Sequence, residues 1–237
     1  MKRLSTLINS QKNLSKAFLI AGASLIFSSC STDDSPSLGI AAVAVTNAIP
    51  GGSFNFLLDN GRPAGNPIAF GSKIDYFQAY EGNREAKLTT STTTTVPVDK
   101  LTETINLKPG EYYSMYLVNT VDQPEFLLIN DKFPNTGLDK PKVRFINLSP
   151  DAPVYDFEIE GDTTTFKNKA FKAYTEFKDV AIKTDAKLLI KDHATGAVKA
   201  TLTDVDLEKG RIYTIWAKGL NNTTETSQAL SIKVSRH

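Results

Sequence analysis

The sequence predicts an all-β protein of two tandem antiparallel β-sandwich domains behind an export signal. Three observations carry that expectation. Short runs of alternating apolar and polar residues recur between Gly, Pro and Asn/Asp turns, and no window of helical length shows a 3.6-residue period. The pattern repeats at an offset of 100 residues. The first 29 residues stand apart, with Lys2, Arg3, Lys12 and Lys16, no acid, and an apolar run over 17–27.

A basic start, an apolar run and then Ser28-Ser29-Cys30 make residues 1–29 an export signal. The run is too short to span the ~30 Å hydrocarbon core, which takes about 20 helical residues. Cys30 is the single cysteine of the chain, so an intrachain disulfide is excluded. Its place behind small residues resembles the bacterial lipobox, with Phe27 where Leu is usual, and implies that the Cys30 thiol is acylated and anchors the chain to a membrane. Bacterial lipoproteins carry two or three acyl chains, and at ~0.8 kcal/mol per buried CH₂ the anchor is effectively permanent. Residues 30–39 form an acidic tether, Ser31-Thr32-Asp33-Asp34-Ser35-Pro36, that resembles the surface-export signal of Bacteroidetes lipoproteins. The implied address is the cell envelope, on the exposed side of the outer membrane. Without the signal, four of the 27 basic residues are gone and 23 face 26 acidic ones, a formal charge of −3. Nothing in that balance attracts nucleic acid.

From residue 40 onward the strands predicted in the first half lie at 40–47, 54–58, 74–80, 86–90, 101–107, 112–119 and 126–130. The second half has them at 143–147, 154–160, 174–178, 186–192, 198–207, 212–218 and 229–234. Val43, Asn47, Pro50, Phe77, Ala86, Lys87, Leu88, Leu107, Gly110 and Tyr113 recur 100 residues later as the same residue types. The Ala-Lys-Leu triplet and the Leu-x-x-Gly-x-x-Tyr grouping recur in register, and with one-residue slips Phe56 and Ala69-Phe70 match Phe157 and Ala170-Phe171. A period of 100 is a domain rather than a solenoid unit, so the expected domains are 40–138 and 139–237. The linker over 135–141 is short, which predicts two domains touching end to end as a semi-rigid rod.

The stretch VRFINLSPDAPVYDFEIEG over 143–161 sets two alternating strands around Ser149-Pro150-Asp151-Ala152-Pro153, a turn in which Pro150 presets φ and the Ser149 and Asp151 side chains take backbone N–H groups. It resembles the hallmark of the bacterial domain of unknown function 4397 family. Ala170-Phe171 and then Leu207, Gly210, Tyr213 and Thr214 in LEKGRIYTIWAKG look like that family's later strands. Many members have His-Ala where this chain has Asn147-Leu148, so a role attached to that His does not transfer. The resemblance implies immunoglobulin-like β-sandwiches and an envelope location, and it brings no established chemistry.

Residue types for catalysis are sparse. The two histidines, His193 in a predicted hairpin tip and His237, have no spaced partner for zinc and are expected to be loop residues. Neither a Gly-x-Ser-x-Gly nor a phosphate-cradling Gly-rich motif occurs. Asp156, Glu158 and Glu160 line one strand face, but the first copy has Asn55, Leu57 and Asp59 there, and the row reads as a solvated edge rather than a calcium site. Trp216 aligns with Tyr116 and reads as a large sandwich residue. The run 89–95 of Thr and Ser reads as an exposed hairpin. Asp162-Thr163-Thr164 resembles a short O-glycosylation motif of Bacteroidetes.

Residues shared by both copies are explained by folding, so binding residues are sought where the copies differ. Phe77, matched with Phe177, should face the core and turn Tyr76, Gln78 and Tyr80 outward, where the second copy has Glu176, Lys178 and Val180. Two tyrosines about 7 Å apart with an amide between them suit stacking on sugar rings or docking of a protein. The expected function is that of a surface-anchored, non-catalytic lipoprotein needing no metal or cofactor, acting in binding, adhesion or envelope structure. The alternative is a glycan-binding accessory lipoprotein of a polysaccharide uptake system.

Overall fold

The computed structural model describes residues 38–91, 96–134 and 139–237. The export signal, Cys30, most of the acidic tether, residues 92–95 and the linker residues 135–138 lie outside the described residues. Eight strands build the first sandwich: β1 (Ile40–Asn47), β2 (Ser53–Leu58), β3 (Ile68–Ala69), β4 (Lys73–Tyr80), β5 (Gly82–Thr90), β6 (Asp99–Leu107), β7 (Tyr112–Asn119) and β8 (Pro124–Asn130). Eight build the second: β9 (Lys142–Asn147), β10 (Tyr155–Ile159), β11 (Thr165–Lys169), β12 (Lys178–Asp179), β13 (Lys183–Asp192), β14 (Val198–Leu207), β15 (Ile212–Lys218) and β16 (Ser231–Arg236).

The sheets of the first sandwich are ordered β4-β1-β7-β8 and β3-β2-β5-β6, and those of the second β12-β9-β15-β16 and β11-β10-β13-β14. Adding eight to each strand number of the first pair yields the second, so the repeat in the sequence is a repeat of topology. One pair in each half departs from antiparallel order, because β1 runs parallel to β7 and β9 parallel to β15. Parallel neighbours need a crossover. The chain makes it through the opposite sheet, which closes the sandwich. The sequence reading missed the short β3 and β11 and set the fourth strand of the second half several residues early, because such short runs carry too few periods to show.

Each sandwich encloses its own core. Val43, Val45, Phe54, Phe56, Leu88 and Met115 fill the first, and Val143, Phe145, Phe157, Leu188 and Ile215 the second. Phe145 and Phe157 stack with ring centroids 4.9 Å apart. In the strand pairing Phe54 lies opposite Thr90 and Phe157 opposite Ile190, so Phe157 stands where Phe54 does, not Phe56. The turn after the first strand is three residues longer in the second copy.

The repeated residues have repeated tasks. Asn47 donates through Nδ2 to the carbonyls of Gly52 and Ile68 and accepts from the Ile49 N–H. Asn147 donates to the Lys169 carbonyl and accepts from the Ser149 N–H. Each buried amide ties the turn after the first strand to the third, satisfying backbone groups that burial would otherwise orphan. Tyr113 and Tyr213 each accept a hydrogen bond at the phenol oxygen from a backbone N–H five residues earlier, Lys108 and Glu208. Gly110 and Gly210, at φ 75° and 74°, make the reversal that brings the chain back to that oxygen. Asp151 accepts from the Asn221 and Asn222 N–H groups, so the Ser-Pro-Asp-Ala-Pro turn clamps a distant loop.

The two sandwiches are not end to end. A third core joins them, in which Ala48, Tyr116, Val118 and Ile129 of the first half meet Ile146, Leu148 and Trp216 of the second. These side chains lie on the faces of β1, β7, β8, β9 and β15 that point away from the sandwich cores. Both faces of β7 and β15 are therefore buried, and their sequences show it: YSMYLV in β7 and YTIWA in β15 are nearly continuous apolar runs. Lys172 pairs with Glu125 across the junction at 2.6 Å, and the Lys218 ammonium sits 4.1 Å from the Phe70 ring centroid. The expected rod is replaced by a face-to-face stack, since a short linker allows either arrangement and buried apolar area decides for the stack.

Candidate binding site

Strand β4 carries the residues singled out by their difference between copies. It is the edge of its sheet and bears a bulge: Val43 lies opposite Phe77 but Val45 opposite Ile74, so β4 spends one extra residue there. Ile74, Phe77 and Ala79 point into the first core. Tyr76, Gln78 and Tyr80 share the other face.

Tyr76 is not free on that face. Its hydroxyl donates to Asp131 Oδ2 at 2.6 Å and lies 3.3 Å from Ser114 Oγ and 3.2 Å from His237 Nδ1. It lies on the face away from the first core, as alternation predicts, but the expectation that it is exposed is corrected, because the junction with the second half covers that end of the face. The register of the second copy differs from the predicted one. Val43 faces Phe77 whereas Val143 faces Lys178, so the counterpart of Phe77 is Lys178 and that of Tyr76 is Phe177. A slip of one residue moves a side chain to the opposite face. Phe177 accordingly lies at the junction beside Phe133 and His237, under the Arg144 guanidinium at 4.8 Å.

Behind Tyr76 is a buried polar network. Arg144, with its side chain 2% exposed, bonds Asp131, whose side chain is fully buried. Arg144 Nε also donates to Thr214 Oγ1 at 2.8 Å, and Thr214 lies 2.7 Å from His237 Nε2. With the His237 proton on Nδ1, every partner is satisfied: Thr214 donates to Nε2, Nδ1 donates to the Tyr76 oxygen, and Tyr76 donates to Asp131. Burial, followed by the Arg144 and Lys73 charges, pushes His237 down to about 3, so the ring is neutral. Burial and then the Asp131 charge push the Tyr76 hydroxyl up. Burial raises Asp131 as well, against the lowering pull of Arg144, Tyr76 and Ser114. The sequence placed His237 in a loop; the fold inserts it between the sandwiches.

Gln78 and Tyr80 remain exposed, Tyr80 at 55%. They border a cleft of about 450 Å³ at the open edge of the first sandwich, floored by Phe77 and Leu58 and rimmed by Asp59 and Arg62. Arg62 is held by Asn55 Oδ1 at 2.5 Å, and Asn55 is fixed in turn by the Thr90 carbonyl. Asp59 pairs with Arg84 and accepts the Glu85 N–H. In the second sandwich the pairing sets Asp179 where Gln78 stands, and Ala181 follows two residues on as Tyr80 follows Gln78, so these two lack aromatic or amide counterparts.

The acidic row on β10 is engaged with neighbours: Asp156 with His193, Glu158 with Lys191 and Glu160 with Lys187. Among the described residues no group of three His, Cys, Asp or Glu side chains is placed to hold a metal ion.

The model of a family described as a domain of unknown function (DUF4397) matches this chain twice, over residues 41–158 and 141–234. The chain belongs to the DUF4397 family. The second match covers the second sandwich, and the first runs through the first sandwich into β10, overlapping it over residues 141–158, as a tandem arrangement of the family's domain would give. No curated protein matches the chain. Among solved structures, it is similar to CBMbc, a family CBM26 module of Amy13K from Eubacterium rectale, solved in complex with maltoheptaose. The identity is 8%, with 84% of this chain and 97% of that one covered at a TM-score of 0.26, and a likeness of that size carries no argument about a ligand here. As a DUF4397 tandem the protein presents shared scaffold residues in both halves; a smaller concavity of about 220 Å³ lies at the matching edge of the second sandwich, lined by Lys140, Asp162, Asp179 and Ala181, and only the first has Gln78 and Tyr80 beside it.

Proposed function

We propose that this protein is a non-catalytic binding lipoprotein of the cell envelope, anchored through Cys30 at the outer membrane surface and engaging its ligand on the first sandwich. The observation that supports the binding role is the cleft bordered by exposed Tyr80 and Gln78, residues for which the duplicated scaffold has no structural use. Tyrosine offers a flat apolar face with a polar tip, and the glutamine amide both donates and accepts, which together suit a sugar. Glycan capture for a polysaccharide uptake system is thus the favoured form of the role, ahead of adhesion to a protein.

Anchoring is tested by Cys30→Ala, which is expected to move the protein from the membrane fraction to the soluble one or leave the precursor unprocessed. Unchanged fractionation with a mature N-terminus elsewhere removes the anchor. Ligand binding is tested on an array of neutral and acidic glycans with wild type beside Tyr80→Ala and Gln78→Ala. A single stacking contact contributes on the order of 1 kcal/mol, which sets affinities near millimolar to high micromolar unless many copies act together. Signals that survive both substitutions place the site elsewhere.

A further inference from the structure

The cleft has a continuation. A second concavity of about 170 Å³ on the outer face of the same sheet shares Ile40 and Gln78 with it and is bounded by Tyr112 and Ala42. Ala42 pairs with Gln78 on one side and with Tyr112 on the other, and Ile40 pairs with Tyr80. Tyr80, Ile40, Gln78, Ala42 and Tyr112 thus form one strip across β4, β1 and β7. Tyr112 is 47% exposed and is held edge-on by Tyr76 and Phe133, each 5.5 Å away between centroids, so its ring is placed without being covered. From strand spacing and rise, its Cα lies roughly 12 Å from that of Tyr80. A single sugar ring does not reach both.

The strip itself carries no charge. Beside it Glu111, which lines the second concavity, accepts from the neutral Asn130 amide and Glu81 from the Gly39 N–H, so both carboxylates keep their charge, whereas Asp59 is paired with Arg84. The second sandwich has Asp179 and Ile212 at the paired positions of Gln78 and Tyr112, with Ala181 two residues beyond Asp179, which removes both rings and adds an acid.

We infer that the ligand is a neutral oligosaccharide of several units, lying extended over Tyr80, Gln78 and Tyr112, with Tyr112 the second stacking platform. This rests on the glycan-binding form of the proposed function and names its ligand class. An uncharged strip flanked by the Glu81 and Glu111 carboxylates fits uncharged rings better than uronate or sulfated chains, which those carboxylates repel. Two separated tyrosines with a narrow amide between them fit a chain better than a single sugar.

The test is calorimetric titration of the lipid-free protein with linear neutral glucan, xylan and mannan oligomers of one to six units, beside carboxylated and sulfated glycans. Wild type is expected to bind one neutral series with affinity rising as the chain comes to span both tyrosines. Tyr112→Ala is expected to lose roughly fivefold for the longer oligomers and nothing for the shortest, and Tyr112→Phe to keep the gain. Ala42→Glu, which leaves both rings in place and puts an acid between them, is expected to abolish the length dependence. Length-independent affinity, binding confined to acidic glycans, or dimerisation through this face abolished by Ala42→Glu overturns the inference while leaving a binding module. Binding of no glycan in either set, on these probes and on the array, removes the glycan reading itself.

Discussion

Arg144→Met is expected to destabilise the protein by about 3–5 kcal/mol at neutral pH, because it leaves the Asp131 carboxylate buried without its cation. The Asp131 side chain is fully buried, and only Tyr76 and Ser114 remain to donate to it. Burial already raises its pKa in the intact protein, and losing Arg144 removes the largest opposing influence. In the variant the folded state therefore holds a proton that the unfolded chain, with an aspartate pKa near 3.9, releases. Folded-state proton uptake favours the folded state at low pH, so the loss is greatest at pH 7 and shrinks as pH falls through the raised value toward about 4. Urea denaturation of wild type and variant across that range measures it. A difference independent of pH shows that Asp131 is not the group left stranded. Adding Asp131→Leu to Arg144→Met is expected to recover most of the loss, since replacing both members of a buried pair with apolar groups is often neutral or better.

Trp216→Ala is expected to cost about 3–5 kcal/mol, the range for removing a large aromatic side chain from a packed interior. Trp216 is 1% exposed, sits in the core between the sandwiches and donates from Nε1 to Ser235 Oγ. The loss has a particular form. Because the indole belongs to neither sandwich core, its removal weakens the bond between halves, and unfolding is expected to divide into two transitions. Phe157→Ala, which empties space in the second core alone, is expected to destabilise that half without dividing the transition in the same way. A single undivided transition for Trp216→Ala, with a loss under about 1 kcal/mol, overturns the view that the third core couples the halves.

Much of the scaffold was legible before any coordinates. Asn47 and Asn147, Gly110 and Gly210, and Tyr113 and Tyr213 stand out as repeats because each performs the same local task, a clamp across a turn that depends on nearby chain. The junction between the halves was also written in the sequence, in the continuous apolar runs of β7 and β15, but period-two alternation was read as two half-exposed faces. The candidate site was legible in part. Gln78 and Tyr80 were found by their difference between copies, whereas Tyr112 was missed because it lies 32 residues beyond Tyr80 and becomes its neighbour in the strip only through β1.

By itself the sequence determined the all-β class, the duplication and the turn chemistry, since each follows from alternation, Gly and Pro placement, or identity at a fixed offset. Only the tertiary structure decided which way the remaining faces turn. Phe77 and Phe177 share a residue type and an offset of 100, yet the register of β4 on β1 differs by one residue from that of β12 on β9, and one faces a sandwich core while the other faces the junction. Tyr76, Gln78 and Tyr80 share one face of β4, and it is the packing of the second half, through His237 and the Arg144–Asp131 pair, that covers Tyr76 and leaves Gln78 and Tyr80 outside. A strand's own sequence carries its period but not its partner's alignment, and long-range pairing with β1, set by the packing of two sheets against each other, supplies that alignment.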